Sequence, residues 1–229
     1  MKKLLVFLAL WAATPRVFAH DTDDPLLFSL QVEQLEWREG DALVSEGDLW
    51  LGRDLQKFWL KFDLEYADDH LEEVELQALY GLAIAPYWDV QFGVRQDVRP
   101  QPSQTWGVLA LHGLAPYFFE TDLSLYVGEG GAVAANLTVE YELLLTQNLI
   151  LAPEISLDLY GQNDRERSLG SGVSEVAMGL RLRYEIRPEF APYVGVHRWQ
   201  KRGNSADFAR QKGEETVDTI AVVGLRFWF

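Results

Sequence analysis

Apolar and polar residues alternate with a period of two along most of this chain, and the alternation predicts β-strands from end to end. The clearest stretch sets Phe58, Leu60, Phe62, Leu64 and Tyr66 against Trp59, Lys61, Asp63 and Glu65. Successive strand side chains point to opposite faces, whereas a helix would scatter these residues around its circumference. The pattern recurs: Val74, Leu76, Ala78 and Tyr80 oppose Glu73, Glu75 and Gln77, and Trp88, Val90, Phe92 and Val94 oppose Asp89, Gln91 and Arg95. Further along, Leu137, Val139, Tyr141 and Leu143 oppose Thr138, Glu140 and Glu142, and Val176, Met178, Leu180, Leu182, Tyr184 and Ile186 oppose Glu175, Arg181, Arg183 and Glu185. A weaker strand carries Leu109 and Leu111 beside His112. Near the start, Phe28, Leu30 and Val32 alternate with polar residues, and the phase then slips so that Leu35 and Trp37 continue the apolar face; a β-bulge would explain the slip.

Such strands have one oily and one charged face. The oily face meets either a soluble core or lipid, and the charged face meets either solvent or a lumen. The chain reads as about twelve strands of roughly 9 to 14 residues, an even number of suitable length for tilted membrane-spanning strands. The connections interleave in two kinds. Short ones lie at Arg53 to Gln56, Ala85-Pro86, Ala115-Pro116, Thr146 to Asn148 and Arg187 to Glu189; longer ones are expected at Arg38 to Ala42, Ala67 to Leu71, Asp97 to Thr105, Gly128 to Ala132, Gly161 to Gly172 and Lys201 to Thr216. Short periplasmic turns and longer outer loops characterise outer-membrane barrels. An apolar-Ala-Pro-Tyr unit recurs at Ile84 to Tyr87, Leu114 to Tyr117 and Phe190 to Tyr193, with a partial copy at Leu151 to Pro153, and reads as a hairpin device with girdle tyrosines. Tyr184 and Tyr193 are expected at the membrane boundary or packed within the bilayer.

The amino terminus supports export. Lys2 and Lys3 precede the apolar run Leu4 to Ala13, and Val17-Phe18-Ala19 offers compact residues to a signal peptidase. Residues 1–19 therefore read as a signal peptide, 20–25 as a short acidic leader, and 26–229 as a single all-β domain, a transmembrane antiparallel up-and-down β-barrel in the outer membrane of a Gram-negative cell. The chain has 20 basic and 35 acidic residues; removing Lys2, Lys3 and Arg16 leaves 17 against 35, a mature charge of −18. That balance argues against nucleic acid as a partner and permits cation binding, although an acidic surface is also an ordinary solubility device. There is no cysteine, hence no disulfide and no thiolate metal site. An exported chain with no later apolar helix crosses a membrane only as a closed barrel. A terminal strand ending in Phe229 resembles the signature by which outer-membrane barrels are recognised for assembly.

Candidate chemistry lies on the lumen-facing phase. His112 and His197 fall there, and His20 would carry both imidazole and free amine once the signal is cut. With Glu140 and Glu185 they form the candidate metal-ligand set, since a histidine with a nearby carboxylate can bind a transition metal and neutral imidazole suits copper in particular. The bland alternative is that charges such as Arg181, Arg183 and Arg226 form ion-paired filling. No serine, histidine and acid stand in a hydrolase motif, so no enzyme is expected. A general solute pore and a lipid-acting enzyme remain the alternatives.

Several blocks also resemble a known family: Trp50-Leu51-Gly52-Arg53-Asp54 with Lys57, Tyr87 to Arg95, Gly113 to Tyr117, Leu149 to Pro153, and Gly179 to Ile186 with Ala191 to Val196. In this order they resemble the copper-resistance protein B family of bacterial outer-membrane proteins. The resemblance implies copper as the bound or transported ion, contact with outer-membrane lipid, and periplasmic copper-handling proteins as partners in copper tolerance. Members of that family often carry a methionine- and histidine-rich segment before the barrel. Here the first strand follows the expected signal within a few residues and the only methionines are Met1 and Met178, so a copper site is expected to use His, Glu or Asp.

Overall fold

The computed structural model describes residues 24–39, 42–67 and 70–229. The expected signal peptide, most of the leader and His20 lie outside the described residues. Thirteen strand segments follow one another: β1 (Leu27–Arg38), β2 (Ala42–Arg53), β3 (Gln56–Ala67), β4 (His70–Ala85), β5 (Trp88–Arg99), β6 (Gln104–Ala115), β7 (Phe119–Gly128), β8 (Val133–Tyr141), β9 (Leu143–Leu144), β10 (Leu149–Tyr160), β11 (Gly172–Tyr184), β12 (Phe190–Lys201) and β13 (Val217–Trp228). A helix, α1 (Gly203–Lys212), precedes β13.

Each strand pairs antiparallel with its sequence neighbour, and β13 pairs with β1 to close the sheet. β8 and β9 are two parts of one stave interrupted at Glu142, both paired with β10. The barrel therefore has twelve staves, as the alternation predicts. Closure satisfies every strand edge, which lipid cannot do. No described helix is long and apolar enough to cross a membrane. The outward phase carries a band of exposed Leu, Val and Phe, among them Phe92, Val94, Leu109, Leu125, Val196 and Val223, with Met178 on the same face. In water that band would be an aggregation surface; in a bilayer it is the lipid contact.

The phase slip in the first strand is a bulge at Glu33: against β2 the register shifts between Val32 and Gln34. The extra residue puts Glu33, Gln34 and Glu36 on the lumen side while leaving Leu35 and Trp37 outward.

Three expectations change. The loop asymmetry is narrower than the sequence suggests, because β3 and β4 run to Ala67 and from His70, and β5 and β6 run to Arg99 and from Gln104. Among the described residues only 161–171 and 202–216 form long connections, and the second contains α1, which the alternation did not reveal. The Ala-Pro-Tyr repeat is not one device. Tyr87 and Tyr117 sit in turns with φ of 68° and 69°, whereas Pro192 and Pro153 lie inside β12 and β10. Tyr193 points to the lumen, not to the membrane boundary, and is buried there.

Candidate functional site

Register fixes which lumenal side chains meet. Strands lie about 4.8 Å apart, so residues that pair across successive strands form rows around the inner wall. Two rows are purely acidic. Glu46, Asp63, Glu75 and Asp97 are mutual partners across β2 to β5. Glu120, Glu140 and Glu154 are partners across β7, β8 and β10. Like charges directly opposite each other repel, so each row stands only where cations or water answer it. In the first, Arg95 contacts Glu75 and Asp97, each at 2.7 Å. In the second, Arg181 reaches Glu154 at 3.1 Å, while Glu120 and Glu140 make no salt bridge among the described residues. The bulged Glu33 faces both sides of the lumen, and its charge acts on Glu46, Asp48, Glu120 and Glu140.

The seam between β11 and β1 is built differently. Glu36 is fully buried. Its carboxylate accepts from Arg181 Nε at 2.7 Å, from Arg38 Nε at 3.2 Å and from the Tyr193 hydroxyl at 3.2 Å. Arg181 also donates to Gln34 at 2.8 Å. The stem of Arg181 and the ring of Tyr193 lie close over β12 and β13, which requires the inner face to be bare there. A Cβ at Gly195 would stand 3.2 Å from the Arg181 side chain, and one at Gly224 would stand 2.5 Å from the Tyr193 ring. The glycines are the floor on which the network lies.

At the outer end, Trp106, Val108, Tyr126 and Ala132 pack inside the lumen with Tyr160. Above them residues 161–171 fold against α1, where the Gly170 amide donates to Ser205 at 2.6 Å and Ser174 and Ser205 lie 2.6 Å apart. Arg167, with its side chain 4% exposed, ties this unit to a wall four staves away: it stands 3.5 Å from Asp97 and donates to the Pro102 carbonyl. Asp97 is itself fixed by Trp106 Nε1 at 2.9 Å. The outer mouth is thus strapped.

The short-turn end holds two recesses. One, of about 300 Å³, is lined by Glu142, Arg183, Glu185 and Arg226; Glu142 accepts from Arg183 and from Arg226 at 3.0 Å. The other, of about 800 Å³, opens between the turns at Asp54-Leu55 and Pro86-Tyr87 and runs inward to Trp59, Asp89, His112 and Glu120. There Asp89, His112 and Asp122 are register partners across β5, β6 and β7. Lys57 stands 3.7 Å from Asp89 and Lys61 stands 2.9 Å from Asp122. His112 Nδ1 lies 3.3 Å from Asp122, and Ser124 donates to the other oxygen of the same carboxylate at 3.1 Å.

The sequence-predicted ligands are therefore not gathered at one point. His112 lies in the larger recess, Glu185 in the smaller one, and Glu140 on the wall between its acidic neighbours Glu120 and Glu154. His197 faces the lumen among the charges of Arg38, Arg181 and Glu36, a setting that two guanidiniums make poor for a cation. No group of three or more His, Asp or Glu closes around a single point among the described residues. The residues that sequence reasoning passed over are Asp122, Lys61 and Glu120 as neighbours of His112. Each falls on the inward phase, but only the register puts them together.

A model of the copper resistance protein B precursor family matches residues 26–229. The chain is 40% identical over 210 residues to copper resistance protein B of Escherichia coli, covering 90% of this chain and 71% of that protein. It is 42% identical over 214 residues to a copper resistance protein B homolog of Pseudomonas syringae pv. tomato, covering 92% and 73%. Among solved structures, the NanC porin superposes with a TM-score of 0.56 at 13% identity, covering 88% of this chain and 99% of that one. The KdgM porin gives 0.50 at 14% identity, again covering 88% and 99%. These two likenesses concern the fold, and they place it among outer-membrane barrels.

Proposed function

This chain belongs to the copper resistance protein B family, and on that premise we propose that its barrel supports copper resistance by binding copper ions inside the lumen. The ions are taken from the periplasmic side, held, and passed on as part of removal or sequestration. The observation that carries this reading is the second acidic row, in which Glu120 and Glu140 face the lumen and make no salt bridge among the described residues. Unpaired carboxylates in a low-dielectric wall attract cations, and with imidazole they suit copper(II).

In this reading the role is non-catalytic. A hydrolytic triad needs the histidine between serine and acid; here Asp122 lies between Ser124 and His112, so the imidazole has no nucleophile to activate. Lipid on the apolar band and periplasmic copper-handling proteins at the short-turn end are the partners this reading implies.

Two measurements test it together. Deleting the gene sensitises cells to copper, and the purified barrel retains copper in metal analysis. Unchanged tolerance with no bound metal sinks the proposal, and a large non-selective conductance in planar bilayers would favour a general pore instead.

A further inference from the structure

The larger recess narrows onto one imidazole whose two nitrogens are differentiated by their surroundings. Asp122 accepts from Lys61 Nζ at 2.9 Å and from Ser124 Oγ at 3.1 Å, and His112 Nδ1 stands 3.3 Å from the oxygen that Lys61 holds. A carboxylate held by such donors is an acceptor, so in the neutral imidazole the proton sits on Nδ1 and Nε2 keeps its lone pair. This is how metal-binding histidines are oriented: the far ring nitrogen donates to a carboxylate, which fixes the ring and raises the basicity of the near one. His112 lines the recess, and no protein group among those described is bonded to Nε2.

The charges around it are arranged for one cation. Asp122 is answered by Lys61, and Asp89 by Lys57. Lys57 is drawn aside over the Trp50 and Trp59 rings, at 5.1 and 5.8 Å from their centroids. Glu120, which lines the same recess and whose charge acts on His112, makes no salt bridge among the described residues; the cationic groups acting on it are His112 itself and Arg226. A carboxylate without a salt bridge and one free imidazole nitrogen therefore face the opening of the recess at the short-turn end.

We propose that His112 Nε2 and the Glu120 carboxylate form the site at which copper(II) first binds the barrel, with Asp122 as the positioning residue for His112. The proposal rests on the copper reading above and gives it a place. Two protein donors with water completing the coordination shell make a loading point from which the ion leaves again, not a closed structural centre. The neighbouring Glu140, paired in register with Glu120, is the next carboxylate along the wall.

Copper(II) electron paramagnetic resonance on the folded full chain tests this, in a His20→Ala background that removes the imidazole at the expected cleavage point. The parent barrel is expected to show ring-nitrogen coupling that His112→Gln abolishes and His70→Gln leaves intact. Asp122→Asn is expected to keep the coupling while weakening copper(II) binding about 10- to 100-fold, an effect that a merely structural role, read as an unchanged heat-modifiable folded band, does not produce. Glu120→Gln is expected to weaken binding without removing the nitrogen. Persistence of the coupling in folded His112→Gln, or unchanged affinity in folded Asp122→Asn, overturns the assignment while leaving lumenal copper binding standing. A parent barrel that binds no copper overturns both.

Discussion

Two recesses open at the same end of this barrel, and their carboxylates meet opposite fates. In the smaller, Glu142 is clasped by Arg183 and Arg226, and deeper along that seam Glu36 is buried under Arg181, Arg38 and Tyr193. In the larger, Glu120 stands without a salt bridge among the described residues, in the same recess as an imidazole that Asp122 holds in place. The residue type is the same on both sides. What differs is whether a guanidinium reaches it: Arg183 and Arg226 reach Glu142 and Arg181 reaches Glu36, whereas Arg95 on the opposite wall is held by Glu75 and Asp97 and leaves Glu120 without a salt bridge. The seam is structural filling; on the opposite side Glu120 and Glu140 are the acids that make no salt bridge among the described residues, and in the proposed reading they are the ones a cation from outside the protein would meet.

Breaking the seam should have the largest effect. Arg181→Met leaves Glu36 buried without its main partner, and removal of one member of a buried ion pair costs about 3–5 kcal/mol. Urea unfolding followed by tryptophan fluorescence should show the loss, and Glu36→Gln combined with Arg181→Met should recover most of it, because a buried pair replaced on both sides is close to neutral. Release of the outer strap comes next. Arg167→Ala removes the tie to Asp97 and Pro102, and planar-bilayer recordings should show a several-fold rise in conductance; an unchanged trace would mean that the lumen is closed by its apolar contents alone. On stability the smallest effect belongs to Glu120→Gln. With no ion pair to lose, the change should stay within about 0.5 kcal/mol, while copper binding falls. If Glu120→Gln destabilised the barrel as much as Arg181→Met, the distinction between the two walls would fail.

The alternation of Phe58 to Tyr66 and its repeats made the twelve staves, the lipid face and the bulge at Glu33 legible in the sequence, because lipid and lumen impose opposite polarity on every second residue. The outer end was less legible. Residues 203–212 carry no strong apolar stripe, yet Ala206, Phe208 and Ala209 are buried in α1, with Arg165 of the neighbouring loop over the Phe208 ring; Gly213, at φ of 77° beyond the last turn, and Arg210 and Lys212 within it were local signs of a helix end. The site was legible only as a list. His112, Glu140, Glu185 and His197 all lie on the lumen side or at its rim, yet partnership depends on register across strands far apart in sequence. Arg181 meets Glu36 across 145 positions, a distance no local pattern spans. For the same reason His197, indistinguishable from His112 by strand phase, falls among guanidiniums, whereas His112 falls beside a carboxylate.

The most direct test of lumenal copper handling on the His112 side is complementation of a deletion strain for growth on copper. The wild-type gene and His197→Gln are expected to restore tolerance, and His112→Gln, present in the outer membrane at the same level, is expected not to. Full tolerance with His112→Gln, or its loss with His197→Gln alone, would contradict the division of the lumen described above.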